Sequence, residues 1–225
     1  MTVPRPCLTA LRGTPEFTHG AVRDIRVRWA FEEMGRTYDV RLFDGMARRP
    51  DDYRAWQPFG QVPALADGGL RLFESGAILL WLGEQDARLL PADRDARWLV
   101  TSWLFAGLNS VEPALTPIVM FDIFYGDRSW AKDARPSAVE FARSRLADLE
   151  RALGDRPWLA GGFSIADIVM VTVLRLLRHT DIVAAYPKLA AYQARGEARP
   201  AFRTAEADQI ADITGKKAEA KGEMA

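Results

Sequence analysis

Apolar positions follow two rhythms along the chain. In residues 37–43 they alternate, with Tyr38, Val40 and Leu42 on one side, which is the period of a strand. Just upstream, Val27, Ala30, Phe31 and Met34 fall at the spacing of one helical face, while Arg26, Glu32 and Glu33 lie off that stripe. Residues 21–34 therefore predict a helix, and Gly35 supplies its stop. A short β-prone run, residues 6–11, precedes it across a loop of glycine, proline and threonine at 12–20. Residues 48–56 are polar and hold at most a short helix. Two short apolar runs, 61–66 and 70–73, flank Asp67-Gly68-Gly69, a hairpin signal, and a helix follows from Ser75 to about Glu84. The predicted order is strand, helix, strand, short helix, hairpin, helix.

Beyond a proline- and charge-bearing stretch at 87–95, the pattern is helical. Residues 97–124 form a long segment with a bend predicted near Pro113 and Pro117. Ala142, Leu146, Leu149 and Leu153 make one stripe in 139–153, and segments 164–179 and 187–196 complete a helical bundle. The expected organisation is an α/β domain at 1–86, a linker at 87–95, an all-α domain at 96–214 and a charged, frayed tail at 215–225. No internal repeat is visible.

Composition narrows the function classes. Thirty basic residues balance thirty acidic ones in 225, so no net field favours nucleic acid or anionic lipid. Cys7 is the only cysteine, which excludes an internal disulfide and a multi-cysteine metal site and fits a reducing compartment. His19 and His179 lie far apart with no evident ligand cluster, so no metal is expected. The N-terminus has no basic segment followed by an apolar run, so no secretory leader is expected. The apolar stretch 165–177 carries Asp167 and Arg175 and is too short to span a bilayer, so it reads as a core helix.

The informative chemistry lies in residues 57–78. Val62-Pro63 stands where a strand begins. If that bond is cis, the Val62 N–H and C=O turn out of the sheet and face a bound peptide. Downstream, Ser75 is expected to cap the next helix with Glu74 just before it, at a helix start where free N–H groups and partial positive charge suit a carboxylate. On the residues alone, a plain hairpin followed by a capped helix is the favoured reading, and the binding reading stays open beside it.

These residues resemble the glutathione-binding segment of the glutathione transferase superfamily, and closely that of its plant phi class. The resemblance implies a thioredoxin-like N-terminal domain (βαβ-α-ββα), an all-α C-terminal bundle, glutathione as co-substrate and a cytoplasmic homodimer. It places Pro63 as the cis-proline, Val62 against the cysteinyl part, Gln61 as a further polar contact and Glu74-Ser75 at the γ-glutamyl end. Counting back from Gln57, Arg48 and Arg49 fall where phi-class proteins hold the glycyl carboxylate, a task suited to the arginine fork. A second match is Phe163-Ser164-Ile165-Ala166-Asp167-Ile168, which reads as a capping box with a hydrophobic staple. Together with Pro157-Trp158-Leu159-Ala160-Gly161, it extends the resemblance over residues 8–202.

Such enzymes turn glutathione into a thiolate that attacks electrophiles. Here the sequence departs from the family pattern: counting back from Arg26, the serine position of the phi and zeta classes falls on Ala21. No serine precedes Ser75, no tyrosine precedes Tyr38, and Cys7 comes too early. Thr18 and His19 are the catalytic candidates, with Thr14, Arg23 and the N–H groups that begin the first helix as further donors. Trp103, Phe105, Asn109 and Phe121 are candidates to line an electrophile pocket, expected at the domain interface. The leading function is glutathione conjugation to a small electrophile. The alternatives are a non-catalytic glutathione-binding scaffold and a glutathione-dependent disulfide or peroxide reductase.

Overall fold

The computed structural model describes residues 5–216. They fall into two compact units, one of residues 5–86 with 199–216 and one of residues 87–198.

The first unit is built on a sheet. Strand β1 (Cys7–Arg12) runs parallel to β2 (Asp39–Asp44), with Cys7 opposite Asp39, and the connecting helix α1 (Asp24–Met34) completes a βαβ crossover. After the one-turn helix α2 (Asp51–Arg54) comes a hairpin of β3 (Ala64–Asp67) and β4 (Leu70–Phe73), with β3 antiparallel to β1. The sheet order is β2-β1-β3-β4, and α3 (Ser75–Gly83) follows. Gly35 ends α1 in the left-handed conformation, as expected of a glycine stop.

Two features of this unit depart from the sequence pattern. Residues 199–214, expected to close the all-α domain, belong to the first unit instead, and within them a helix that the pattern did not single out, α9 (Pro200–Thr214), packs on α1. Arg26 and Arg28, which the stripe of α1 does not predict to be buried, are buried at 2% and 0% exposure, Arg26 beside Ser75 of α3 and Arg28 beside Asp212 of α9. Every residue from Asp24 to Phe31 is buried, because α3 and the sheet cover one side of α1 and α9 covers another. Trp29 meets Phe202 of α9 edge-on at 4.9 Å, and Arg28 lies between Asp24 (2.7 Å) and Asp212 of α9 (2.8 Å). The expected tail begins at Gly215, and all of it beyond Lys216 lies outside the described residues.

The second unit holds α4 (Arg94–Ala106), α5 (Glu112–Val119), α6 (Ser129–Leu153), α7 (Ile165–Leu174) and α8 (Pro187–Glu197). One helical segment joins α4, α5 and the π-helical turns Gly107–Val111 and Met120–Phe124. By length and composition it is apolar enough to cross a membrane, yet its face of Val100, Leu104, Val111, Leu115 and Ile118 is buried, with α4 on α7 and α5 on α6. Gly107 permits this approach, since a Cβ there would sit 2.8 Å from Val169. Helix α6 begins ten residues before the stripe that signals it and absorbs Pro136 within its length.

All ten residues of α7 are buried. The expected capping box is present: the Ser164 hydroxyl accepts from the Ala166 N–H, and the Asp167 carboxylate accepts from the Ser164 N–H at 2.9 Å. Asp167 also accepts from the Leu159 N–H and the Tyr192 hydroxyl, which ties the preceding loop and α8 to the start of α7. Ser164→Ala is expected to lower stability by about 1 kcal/mol, the usual value of such a cap, in urea unfolding followed by circular dichroism.

Candidate functional site

The loop before β3 is held at both ends and free in the middle. Gln57 is buried, and its side-chain carbonyl accepts from the Gln61 N–H at 3.1 Å. The Tyr53 hydroxyl donates to the Gln61 C=O at 2.6 Å, and Thr9 on β1 accepts from the Ala64 N–H at 2.8 Å. A 2.9 Å hydrogen bond between Thr9 and Tyr53 joins these anchors. Between them, the Val62-Pro63 peptide bond is cis, and among the described residues no hydrogen bond uses the Val62 N–H or C=O. The Gln61 side chain is exposed, while Pro63 is buried and Val62 packs on Phe43, Tyr53 and Ala64. The residues that shape this backbone, Thr9, Gln57 and Tyr53, were not singled out from the sequence. Their only signals there are a polar residue inside a strand and one aromatic ring in a polar one-turn helix.

The helix tip was expected to have Ser75 as its cap. Instead Glu74 occupies the N-cap position and Ser75 is the first helical residue, with no side-chain cap. The Ser75 hydroxyl, buried at 4% exposure, accepts from Arg26 Nη1 at 3.2 Å and keeps its own proton to donate. The α3 tip thus presents first-turn N–H groups and a hydroxyl donor, an arrangement that suits a carboxylate. Glu74 is exposed and has φ +70°, the one non-glycine residue with positive φ among those described. Its carboxylate matches an ammonium group as the tip matches a carboxylate, so the two together suit the zwitterionic end of an amino acid.

The paired arginines differ in their commitments. Arg49 donates to the Asp44 C=O (2.7 Å) and the Ala47 C=O (2.6 Å), and its guanidinium stacks over Phe43, so it shapes the loop between β2 and α2. Arg48 is exposed and has one solvent-facing partner, Asp51 at 3.0 Å.

In the loop after β1, Thr18 donates its proton to the Pro15 C=O at 2.6 Å and accepts the Thr14 proton at 2.7 Å. Each hydroxyl carries one proton, so both are committed within the loop. The Ala21 and Val22 N–H groups donate to the Thr18 C=O, which takes two of the expected backbone donors. The half-buried His19 ring and the Gly20 N–H have no hydrogen-bond partner among the described residues. Cys7 is half-buried on β1, and burial raises its thiol pKa, which makes it a poorer nucleophile.

In the helical unit, Phe105 and Asn109 are exposed, four residues apart and on one face of α4 and its π-helical extension, whereas Trp103, two residues from Phe105, points away from them. Phe121 is half-buried and meets Trp130 edge-on at 5.9 Å. A polar cleft of about 360 Å³ in this unit includes Asp122, Arg135, Arg143 and His179. Arg135 grips the Asp122 carboxylate with two nitrogens, and this hydrogen bonding holds the carboxyl below its ordinary range, with His179 contributing at 3.2 Å. Among the described residues no group of three or more His, Cys, Asp or Glu is placed to hold a metal.

A four-stranded mixed sheet with a cis-proline ahead of β3, followed by an all-α unit, defines a thioredoxin-like domain joined to a helical one. Residues 25–85 match the model of the glutathione S-transferase N-terminal domain, and residues 133–195 match that of its C-terminal domain. Glutathione S-transferase 3 of Zea mays is 33% identical over 80% of this chain and 86% of its own. Disulfide-bond oxidoreductase YfcG of Escherichia coli (strain K12) is 31% identical over 74% of this chain and 80% of its own. A glutathione transferase from Pseudomonas putida, solved with glutathione disulfide bound, superposes with a TM-score of 0.76 at 25% identity, covering 90% of each chain. The chain belongs to the glutathione S-transferase family and is a glutathione-dependent transferase.

Proposed function

We propose that glutathione lies against the loop that leads into β3, with its γ-glutamyl end at α3, its cysteinyl part on Val62 and its glycyl carboxylate toward Arg48. The observation that carries this reading is the unpaired Val62 backbone between the anchored Gln61 and Ala64. It offers one donor and one acceptor, the complement of a peptide backbone in antiparallel register. Gln61 adds an exposed amide, and Arg49 supports the loop that displays Arg48. The cysteinyl sulfur then points toward the loop after β1, where His19 and the Gly20 N–H stabilise the thiolate. Thr18 acts by shaping the loop, since its proton is already given to Pro15. Phe105 and Asn109 are the first choices for contacts to the electrophile, with Trp103 and Phe121 peripheral to them.

The protein works as a cytoplasmic homodimer without metal. An exposed apolar pair on the first unit, Phe59 and Phe73, with ring centroids 6.4 Å apart, supports association through that surface. A second reading, glutathione-dependent disulfide reduction, is favoured by the identity to the Escherichia coli oxidoreductase and by the glutathione disulfide in the Pseudomonas structure.

The test is retention on immobilised glutathione followed by two assays: conjugation of a chlorodinitrobenzene-type electrophile and reduction of a small glutathione mixed disulfide. Failure to bind glutathione overturns the site, and the ratio of the two activities chooses between the readings. His19→Ala is expected to lower kcat roughly tenfold with KM for glutathione little changed, the loss of one hydrogen bond to a charged atom. Thr18→Val is expected to keep most of the activity. A silent His19→Ala with an inactive Thr18→Val would reverse these two roles.

A further inference from the structure

The loop that carries Thr14, Thr18, His19 and Gly20 is fastened at both ends to α9. At its start, the Gly13 N–H donates to the Ile213 C=O at 2.9 Å. At its end, the Gln209 side-chain amide donates to the Val22 C=O at 3.0 Å and to Asp24 Oδ1 at 2.7 Å. Gln209 is 1% exposed, and both of its targets are acceptors, so the amide nitrogen must face them. Asp24 is the first residue of α1, and its other oxygen accepts from Arg28 Nε at 2.7 Å. Arg28 in turn meets Asp212, one turn beyond Gln209 on α9. The attachment is therefore polar, buried and directed at the two backbone points between which the sulfur-facing loop is strung.

We infer that Gln209 is a positioning residue for thiolate formation, acting through α9 on the loop at residues 13–22. A loop fixed at both ends places His19 and the Gly20 N–H without a reorganisation cost when the sulfur ionises, and preorganised donors stabilise charge best. The inference rests on the proposed placement of the glutathione sulfur at this loop. Packing alone does not require such a residue at 209. Trp29 against Phe202 and Arg28 against Asp212 already hold α9 to α1, and neither contact reaches the loop.

Gln209→Met keeps the length and the apolar stem and removes both hydrogen bonds. Phe202→Leu is the comparison, since it weakens the α9–α1 contact without touching the loop. Three readouts apply to each full-length protein: the pH profile of kcat/KM with the ultraviolet absorbance of bound glutathione thiolate, KM for glutathione, and amide hydrogen exchange of residues 13–24. For Gln209→Met the pKa of bound glutathione is expected to rise by about half a unit, which leaves roughly threefold less thiolate below that pKa. Its KM should stay within about twofold, because the γ-glutamyl contacts at α3 are untouched, and exchange in residues 13–24 should quicken. Phe202→Leu should lower the unfolding midpoint and leave the pH profile and local exchange as in the parent. An unchanged pH profile in Gln209→Met, or the same shift in Phe202→Leu, overturns the inference. If the parent protein binds glutathione but forms no thiolate near neutral pH, the sulfur placement is at fault. That outcome is read before either variant is compared, and it overturns both.

Discussion

Ser75→Ala is expected to weaken glutathione binding by roughly 10- to 150-fold, the range for a lost hydrogen bond to a charged group. The hydroxyl is buried, receives Arg26 and has its own proton free, so it is set to donate to a carboxylate at the α3 tip. The α3 backbone does not depend on it, because the helix has no side-chain cap to lose. Calorimetric titration with glutathione reads the affinity, and unfolding in urea shows whether the fold has paid for the change. Glu74 sharpens the test. At φ +70° a side chain is strained by about 1–3 kcal/mol, and glycine is not. Glu74→Gly should therefore raise stability while lowering glutathione affinity at least about tenfold, through the lost ionic contact to the ligand ammonium. Opposite signs on the two axes would mark Glu74 as held in strain for binding. A variant that loses stability and keeps affinity would refute that.

Arg28→Leu is expected to destabilise the protein by about 3–5 kcal/mol. The guanidinium is fully buried between Asp24 and Asp212, and its removal leaves two carboxylates at the α1–α9 contact with no cation between them. The pH dependence has a defined sign. Burial already pushes the Asp24 pKa up, with Arg28 and Gln209 opposing the rise. Without Arg28 the folded-state pKa climbs further above the unfolded value, so the folded state binds more protons than the unfolded one. The deficit should then be full above the raised folded pKa and shrink as pH falls through it. Urea midpoints measured at several pH values check both size and slope. Replacing Arg28, Asp24 and Asp212 together with apolar residues should recover much of the loss, because no buried charge is then left alone.

Much of the local geometry of the candidate site was legible because it depends on short-range chemistry. The Val62-Pro63 step, the Glu74-Ser75 pair and the hairpin turn between them sit within residues 61–75, and the hairpin pairing of Ala64 with Phe73 brings the first two to one end of β3 and β4. The capping box of α7 was legible for the same reason, since its partners are three residues apart. Arg48 and Arg49 looked equivalent in the sequence, and only the path of the loop showed that Arg49 is spent on the Asp44 and Ala47 carbonyls. Thr18 looked like a donor until its partner Pro15 could be seen.

The sequence by itself determined the order of elements in the first 86 residues, the βαβ crossover and hairpin, and the helical second half. All of these are written in periodicity, turn residues and short-range spacing. The tertiary structure alone decided that α9 returns to the first unit, that Arg26 and Arg28 are buried, that Glu74 holds a positive φ, and that the loop after β1 is tied to Gln209 and Ile213. The α9 packing, the Arg28 burial and the loop ties depend on partners far apart along the chain, such as Val22 with Gln209, whose proximity no local pattern encodes, because it arises only when separate elements bury their faces against one another.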